Sequence, residues 1–316
     1  MKIFKFFRTP RNLLFMLVAA LMVAEGAVRA FGLVGFPLYA ANAQIGYIPA
    51  ASQQGSFLNK NDWQFNALHM GAPAFKPDAA RDVLLLGDSV VYGGNAFRQP
   101  ERLGPALQAA LQVRGGGGAV WPVSAGSWAL RNALAYMRLN PQVPAGVKSI
   151  VFVLNTGDFG NTASSWACEL THPRSRPTVA LWYLFNKYVH AFEPCGNVPA
   201  ALKVPDGDVA AELQAFMVLH GAKATFVLYP DKTEAADGAL AASHFAAGEA
   251  ILKAAGATQV AHVGQDKRWG VGWYKDGIHP TAAGNRVLAG IINDSLDRFS
   301  RGDVALPVVL NGKHNV

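Results

Sequence analysis

Cysteine is almost missing from this chain of 316 residues: only Cys168 and Cys195 occur. Neither has a histidine or a further cysteine at metal-ligand spacing, and the eight histidines form no ligand pattern. A zinc site is therefore not expected, and no metal or organic cofactor is implied. Charged residues are sparse too, at 16% against 51% hydrophobic, which argues against disorder and for a folded protein with a membrane-facing element. The formal net charge of +7 suggests nucleic acid at first. Lys2, Lys5, Arg8 and Arg11 supply four of those seven charges, however, and no basic helix or aromatic-interleaved patch follows, so no nucleic-acid partner is expected. The run Gly115-Gly116-Gly117-Gly118 lacks a following Lys-Ser/Thr, which makes it a connector rather than a phosphate loop. No internal repeat is evident.

What the chain does have is an uneven start. The basic cluster precedes an apolar run over 13–24, the pattern of a secretory signal or a signal anchor. That run is short for a bilayer. Extended to Tyr39 it becomes long enough, interrupted by Glu25 and Arg29, which at i and i+4 can pair on one helix face. Charge bias puts the basic end in the cytoplasm and the rest outside, so the expected location is the cytoplasmic membrane, single-pass, with the bulk of the chain periplasmic or otherwise extracytoplasmic. Cleavage is the competing reading, since Ala41-Asn42-Ala43 has the small-x-small form, although far beyond the run. Export would let Cys168 and Cys195 form a disulfide, worth about 3 kcal/mol in the chain-entropy model. Two unpaired thiols are the alternative.

From residue 81 onward, strand and helix patterns alternate. Strands are expected over 82–86, 119–123, 149–154, 224–228 and 259–263, and helices over 101–113, 128–139, 209–219, 239–255 and 282–299. Such alternation predicts an α/β fold, a three-layer α/β/α sandwich around five parallel strands in flavodoxin-like order. The organisation expected is a basic tail and anchor helix (1–40), a stalk or lead-in (41–80), the main domain (81–300) with an insertion (159–205), and a short tail (301–316).

Two stretches carry chemistry. In Val83-Leu84-Leu85-Leu86-Gly87-Asp88-Ser89 a buried strand stops at a tight turn, leaving Ser89 at the carboxyl end of the sheet, where open α/β folds place their sites. A helix-capping Asp/Ser turn would look the same. Far downstream stands Asp276-Gly277-Ile278-His279-Pro280-Thr281, in which Asp276 precedes His279 by three residues. Serine needs a base at neutral pH, and that base needs an acceptor on its far nitrogen. One loop supplies both, anchored by the helix that opens at Pro280-Thr281.

With Gly87-Asp88-Ser89 as a first block and Asp276-Gly277-Ile278-His279-Pro280 as a last, in that chain order, residues 80–300 resemble the SGNH/GDSL hydrolase superfamily. The resemblance implies Ser89 as nucleophile, His279 as general base and acid, and Asp276 as its orienter. The oxyanion hole would take the Ser89 N–H and, from the second block, Gly126 in Val123-Ser124-Ala125-Gly126-Ser127; an ordinary turn glycine fits that spacing equally. The third block departs from the family's Gly-x-Asn-Asp: here it reads Asn155-Thr156-Gly157-Asp158. Asn155 could supply the missing amide from two residues earlier, or Asn161 could, or two backbone donors suffice.

The insertion holds both cysteines and Trp166, Trp182, Tyr183, Phe185 and Tyr188, suiting either a lid or sugar-stacking wall or a small satellite core. Trp269, Trp273 and Asp158 are candidate pocket-lining residues. Tyr229-Pro230-Asp231-Lys232 resembles a Pro-x-Lys element of the alginate O-acetylation branch, though a turn with a solvated Lys232 explains it too.

The function expected is a serine esterase removing O-acetyl groups from a cell-envelope or secreted polysaccharide. Alternatives are an O-acetyltransferase on such a glycan and a catalytically silent glycan-binding or assembly subunit. Expected partners are an acylated glycan or small acyl ester, the membrane, and polysaccharide-assembly proteins.

Overall fold

Short, nearly continuous apolar runs, buried on both faces, build the centre of the molecule. The computed structural model describes residues 9–113, 115, 117–190 and 195–302. Lys2, Lys5 and Arg8, and nearly all of the 301–316 tail, lie outside the described residues. The chain opens with helix α1 (Pro10–Ala30) and two antiparallel hairpins, β1 (Tyr39–Asn42) with β2 (Gly46–Pro49) and β3 (Gln53–Phe57) with β4 (Asn61–Phe65). Then come β5 (Val83–Gly87), the single-turn α2 (Ser89–Tyr92), α3 (Leu103–Val113), β6 (Val120–Ser124), α4 (Leu130–Leu139), α5 (Gln142–Ala145) and β7 (Ser149–Leu154). The chain continues through α6 (Ala180–Tyr188), α7 (Val209–His220), β8 (Ala224–Leu228), α8 (Lys232–Ala236), α9 (Gly238–Ala254), β9 (Val260–His262) and α10 (Ala282–Ser300).

Five strands pair in parallel in the order β6-β5-β7-β8-β9, the flavodoxin-like arrangement expected. Successive side chains point to opposite faces, so each strand feeds two cores. Leu84, Leu86, Phe152 and Phe226 pack with Leu130 and Tyr136 of α4, Leu213 of α7 and Phe245 of α9. Val83, Leu85, Val151 and Val227 pack with Leu107 of α3 and Leu288 and Ile292 of α10. That gives the three layers. The strand order reverses at β5, with β6 added on one side of it and β7 on the other, which opens a crevice at their carboxyl ends.

Two expectations need correction. Residues 41–80 are no stalk: Tyr47, Ile48, Trp63, Phe65 and Met70 are buried in the α4-side core. Short strands interspersed with Gly, Asn and Gln hid that packing from the sequence. The apolar helix also does not run on to Tyr39. It stops at Ala30, where Gly32 takes a left-handed φ of +69° and a Cβ would meet Asn59 at 2.8 Å. At 21 residues and mean hydropathy 1.9, α1 is the one helix among the described residues long and apolar enough to cross a bilayer.

The insertion carries a Cys168–Cys195 disulfide, as one of the two readings had it. Trp166 joins the main core, while Tyr183 and Leu184 of α6 pack around Val34, Phe36 and Ala180. A satellite core, rather than a wall over the site, describes those packed residues.

Candidate active site

β5 delivers Ser89 by ending abruptly. A Cβ on Gly87 would meet Val91 at 2.6 Å and the Val153 carbonyl at 2.9 Å, so only glycine lets β5 lie this close to β7 and turn. Asp88 then caps α2, its Oδ1 accepting the Val90 N–H at 2.8 Å. Ser89, half-buried, stands at the first position of that turn.

The partner loop is braced from three sides. Lys275 N–H donates to the His279 carbonyl at 2.9 Å, Lys232 N–H to the Gly277 carbonyl at 2.9 Å, and Tyr229 Oη to the Ile278 carbonyl at 2.6 Å. Thr281 caps α10 behind it. Inside the loop, Asp276 Oδ1 accepts the backbone N–H groups of Ile278 (3.0 Å) and His279 (2.8 Å), and its two oxygens lie 3.0 and 2.9 Å from His279 Nδ1. An ionised carboxylate only accepts, so Nδ1 carries the proton and Nε2 is free to accept. Ser89 Oγ lies 2.9 Å from that Nε2, across 190 positions of sequence. Burial pushes the Asp276 carboxyl up, but the N–H groups of His279 and Ile278, then the ring, outweigh it and hold the group at about 2. Asp276 is thus ionised throughout the neutral range. The relay from Asp276 through His279 to Ser89 is arranged to take the hydroxyl proton.

Gly126 faces Ser89. A Cβ there would sit 4.0 Å from Ser89 Cβ with nothing else within that range. The sequence reading missed what holds this turn: Tyr47 Oη donates to the Gly126 carbonyl at 2.5 Å, and Trp128 Nε1 donates to the Tyr47 carbonyl at 2.6 Å. His172, from the insertion, lies on the Tyr47 ring at 4.0 Å between centroids. Burial, with the Lys187 charge adding to it, lowers His172 to about 4. An isolated Tyr in a Gly-Tyr-Ile-Pro strand carries no signal of such a role.

The third block is rearranged. Asn155 Nδ2 donates to Asp88 Oδ2 at 3.0 Å, and its Oδ1 accepts the Gly157 N–H at 2.9 Å. The side chain is thus bound to the residue before Ser89, and the oxyanion role expected of it competes with that bond. Asn161 is engaged elsewhere, its Oδ1 accepting the Val209 N–H at 3.1 Å. Asp158 is buried and accepts the Asn155 N–H at 2.9 Å, so it does not line a pocket. Its carboxyl is pushed well above the carboxylate range, first by burial and then by the Asp88 charge; burial also raises Asp88, against the Val90 N–H and the nearby His279.

Neither tryptophan forms a wall. Trp269 is buried with its Nε1 donating to Tyr274 Oη at 2.9 Å, and Trp273 donates to the Arg268 carbonyl at 2.7 Å. Both pack into the apolar layer that holds Leu107 of α3 and Leu288 of α10. Lys232 is exposed, as the turn reading had it. Among the described residues no cluster of three or more metal-ligating side chains occurs.

No family model matches the chain, and no curated protein does. Solved structures do. A psychrotrophic esterase from Pseudoalteromonas sp. aligns at 12% identity and TM-score 0.42, covering 70% of this chain and 99% of that one. An acetylxylan esterase from Geobacillus stearothermophilus aligns at 13% identity and TM-score 0.38, with 70% and 96% covered. A lipase/acylhydrolase from Enterococcus faecalis gives 13% and 0.40, again over 70% and 96%. At such distances the fold rests on the strand order itself.

Proposed function

We propose that this chain is an SGNH/GDSL-type serine esterase, anchored in the cytoplasmic membrane, that removes O-acetyl groups from a cell-envelope or secreted polysaccharide outside it. The observation that carries the reading is the hydrogen-bonded relay from Asp276 to His279 Nδ1 and from His279 Nε2 to Ser89 Oγ, at 2.9–3.0 Å throughout. Ser89 Oγ attacks the acetyl carbon while His279 Nε2 takes its proton. The Ser89 and Gly126 N–H groups stabilise the oxyanion, and Nε2 then protonates the departing sugar oxygen. Water repeats the sequence on the acyl-enzyme, releasing acetate and restoring the serine.

Water as acceptor is supported by the openness of the relay: the His279 and Asp276 side chains are 31% and 47% exposed. Transfer to a sugar hydroxyl is the second reading. It is favoured by one contact, the Lys232 N–H bond to Gly277, which ties the Pro230-x-Lys232 element to the catalytic loop. Retention of the anchor is supported by β1, which a cut within Ala41-Asn42-Ala43 would sever from β2 and the core.

The test uses the full chain in detergent, a chromogenic acetyl ester and a serine-directed phosphonate. Ser89→Ala is expected to lose hydrolysis by roughly 10⁵–10⁶-fold and all covalent label. Equal rates for both proteins would overturn the enzyme in favour of a silent binding subunit. A sugar oligomer added with the acyl donor separates the two reactions: mass gain on the sugar indicates transfer, acetate alone hydrolysis.

A further inference from the structure

The end of α1 is built into the insertion. Glu25 accepts the Ala180 N–H at 2.8 Å and the Leu181 N–H at 2.9 Å, so a residue of the apolar helix caps the N-terminus of α6. Arg29, paired with Glu25, donates to the carbonyls of Pro177 at 3.0 Å and Thr178 at 2.9 Å. These bonds lock α6 to the last turns of α1. The inner face of α6, with Ala180, Tyr183 and Leu184, is used up by the satellite core.

Its outer face is apolar and exposed. Trp182, Phe185 and Tyr188 recur every three residues on one side, 50%, 40% and 69% exposed. Val179 at 52% and Val189 at 71% flank α6, and Phe31, just past the end of α1, is 68% exposed. α1, joined to α6 by the Glu25 and Arg29 bonds, is apolar and has no buried residue. Trp and Tyr, with an apolar ring and a polar edge, are the side chains enriched at the headgroup level of bilayers.

We propose that α6 and the end of α1 form a seat in the lipid headgroup interface, fixing the catalytic domain to the outer surface of its own membrane. The seat rests on the reading of α1 as a retained anchor. Its occupant is lipid, because the Glu25 and Arg29 bonds hold the patch against the end of that apolar helix, none of whose residues is buried. A tether alone would let the domain swing. The latch instead holds α6 at the level where the span leaves the bilayer.

The experiment places the full chain in nanodiscs of phosphatidylethanolamine and phosphatidylglycerol brominated on the acyl chain near the headgroup, and reads tryptophan quenching. Seven tryptophans are present, so Trp182→Phe supplies the difference. The quenched fraction is expected to fall by at least half in that variant, with acetyl-ester hydrolysis unchanged. Glu25→Ala, which removes the cap, should reduce quenching while α1 stays inserted. Equal quenching with and without Trp182, in a chain that resists carbonate extraction and retains Glu25 by intact mass, would overturn the seat and leave the anchor standing. A chain that has lost its first helix, or washes off with carbonate, overturns the anchor and the seat with it. Because the nanodiscs hold no other protein, absence of quenching in them also sinks a lipid occupant in favour of a protein one.

Discussion

Substituting Gly126 by alanine separates what the fold needs from what the reaction needs. The added Cβ would meet nothing within 4 Å except Ser89 Cβ, at 4.0 Å, an ordinary van der Waals distance. Gly126 does not have a left-handed φ, so alanine is not strained there. On the folded side the change should be neutral, or stabilise by about 0.4–1 kcal/mol through lost freedom in the unfolded chain. The reaction is different. In the proposed mechanism a methyl at this point stands beside Ser89, where the acetyl oxygen gains charge. Displacing the oxyanion from one donor costs about 10²–10³ in rate, or roughly 3–4 kcal/mol. Gly126→Ala should therefore keep or raise the melting temperature while kcat/KM for a chromogenic acetyl ester falls about a hundredfold. Activity within twofold of the parent, with an unchanged melt, would show that the acyl oxygen does not sit at Gly126.

Three other outcomes follow from the geometry. Asp276→Asn keeps a side chain of the same shape but can donate to Nδ1, favouring the wrong tautomer; kcat should drop about 10³–10⁴-fold, and a loss under tenfold would make Asp276 a structural turn residue only. Because Asp276 is held at about 2, an acid limb above pH 4 in the parent pH–rate profile does not come from Asp276. Replacing Cys168 and Cys195 by serine together, across a separation of 27 residues, should cost about 3 kcal/mol by urea unfolding, and no change would show the bridge carries no stability. His172 is lowered by burial to about 4, so below the ordinary imidazole value the unfolded chain binds the proton first. Stability should then fall from pH 6.5 towards pH 4, by roughly 3 kcal/mol in all, and His172→Phe should flatten that part of the profile. Parallel profiles for the two proteins would refute the assignment.

Legibility tracked distance along the chain. The five sheet strands fell within about a residue of their observed ends, because a short apolar run and the turn residues that bound it are local. The two-stranded hairpins were missed, since four- and five-residue strands interrupted by Gly, Asn and Gln show too little alternation to be told from a loop. At the site, Ser89 and the Asp276–His279 loop were readable as contiguous motifs. Asn155 was read for its reach, but a side-chain amide goes to its best acceptor, and Asp88 lies 67 positions away in sequence. Trp269 was placed by its nearness to Asp276, yet Tyr274 Oη and the apolar layer beneath offered its ring and N–H a better environment.

The sequence by itself determined the alternating architecture, the apolar helix, and which hydroxyl, imidazole and carboxylate could act, because period and short-range spacing are properties of neighbouring residues. Only the tertiary structure decided that Ser89 and His279 meet, that Tyr47 props the Gly126 turn, and that Glu25 caps a helix 155 positions away. Each of those is a contest among distant donors and acceptors for one partner. Its outcome is fixed by the packing that sets which of them come within bonding range.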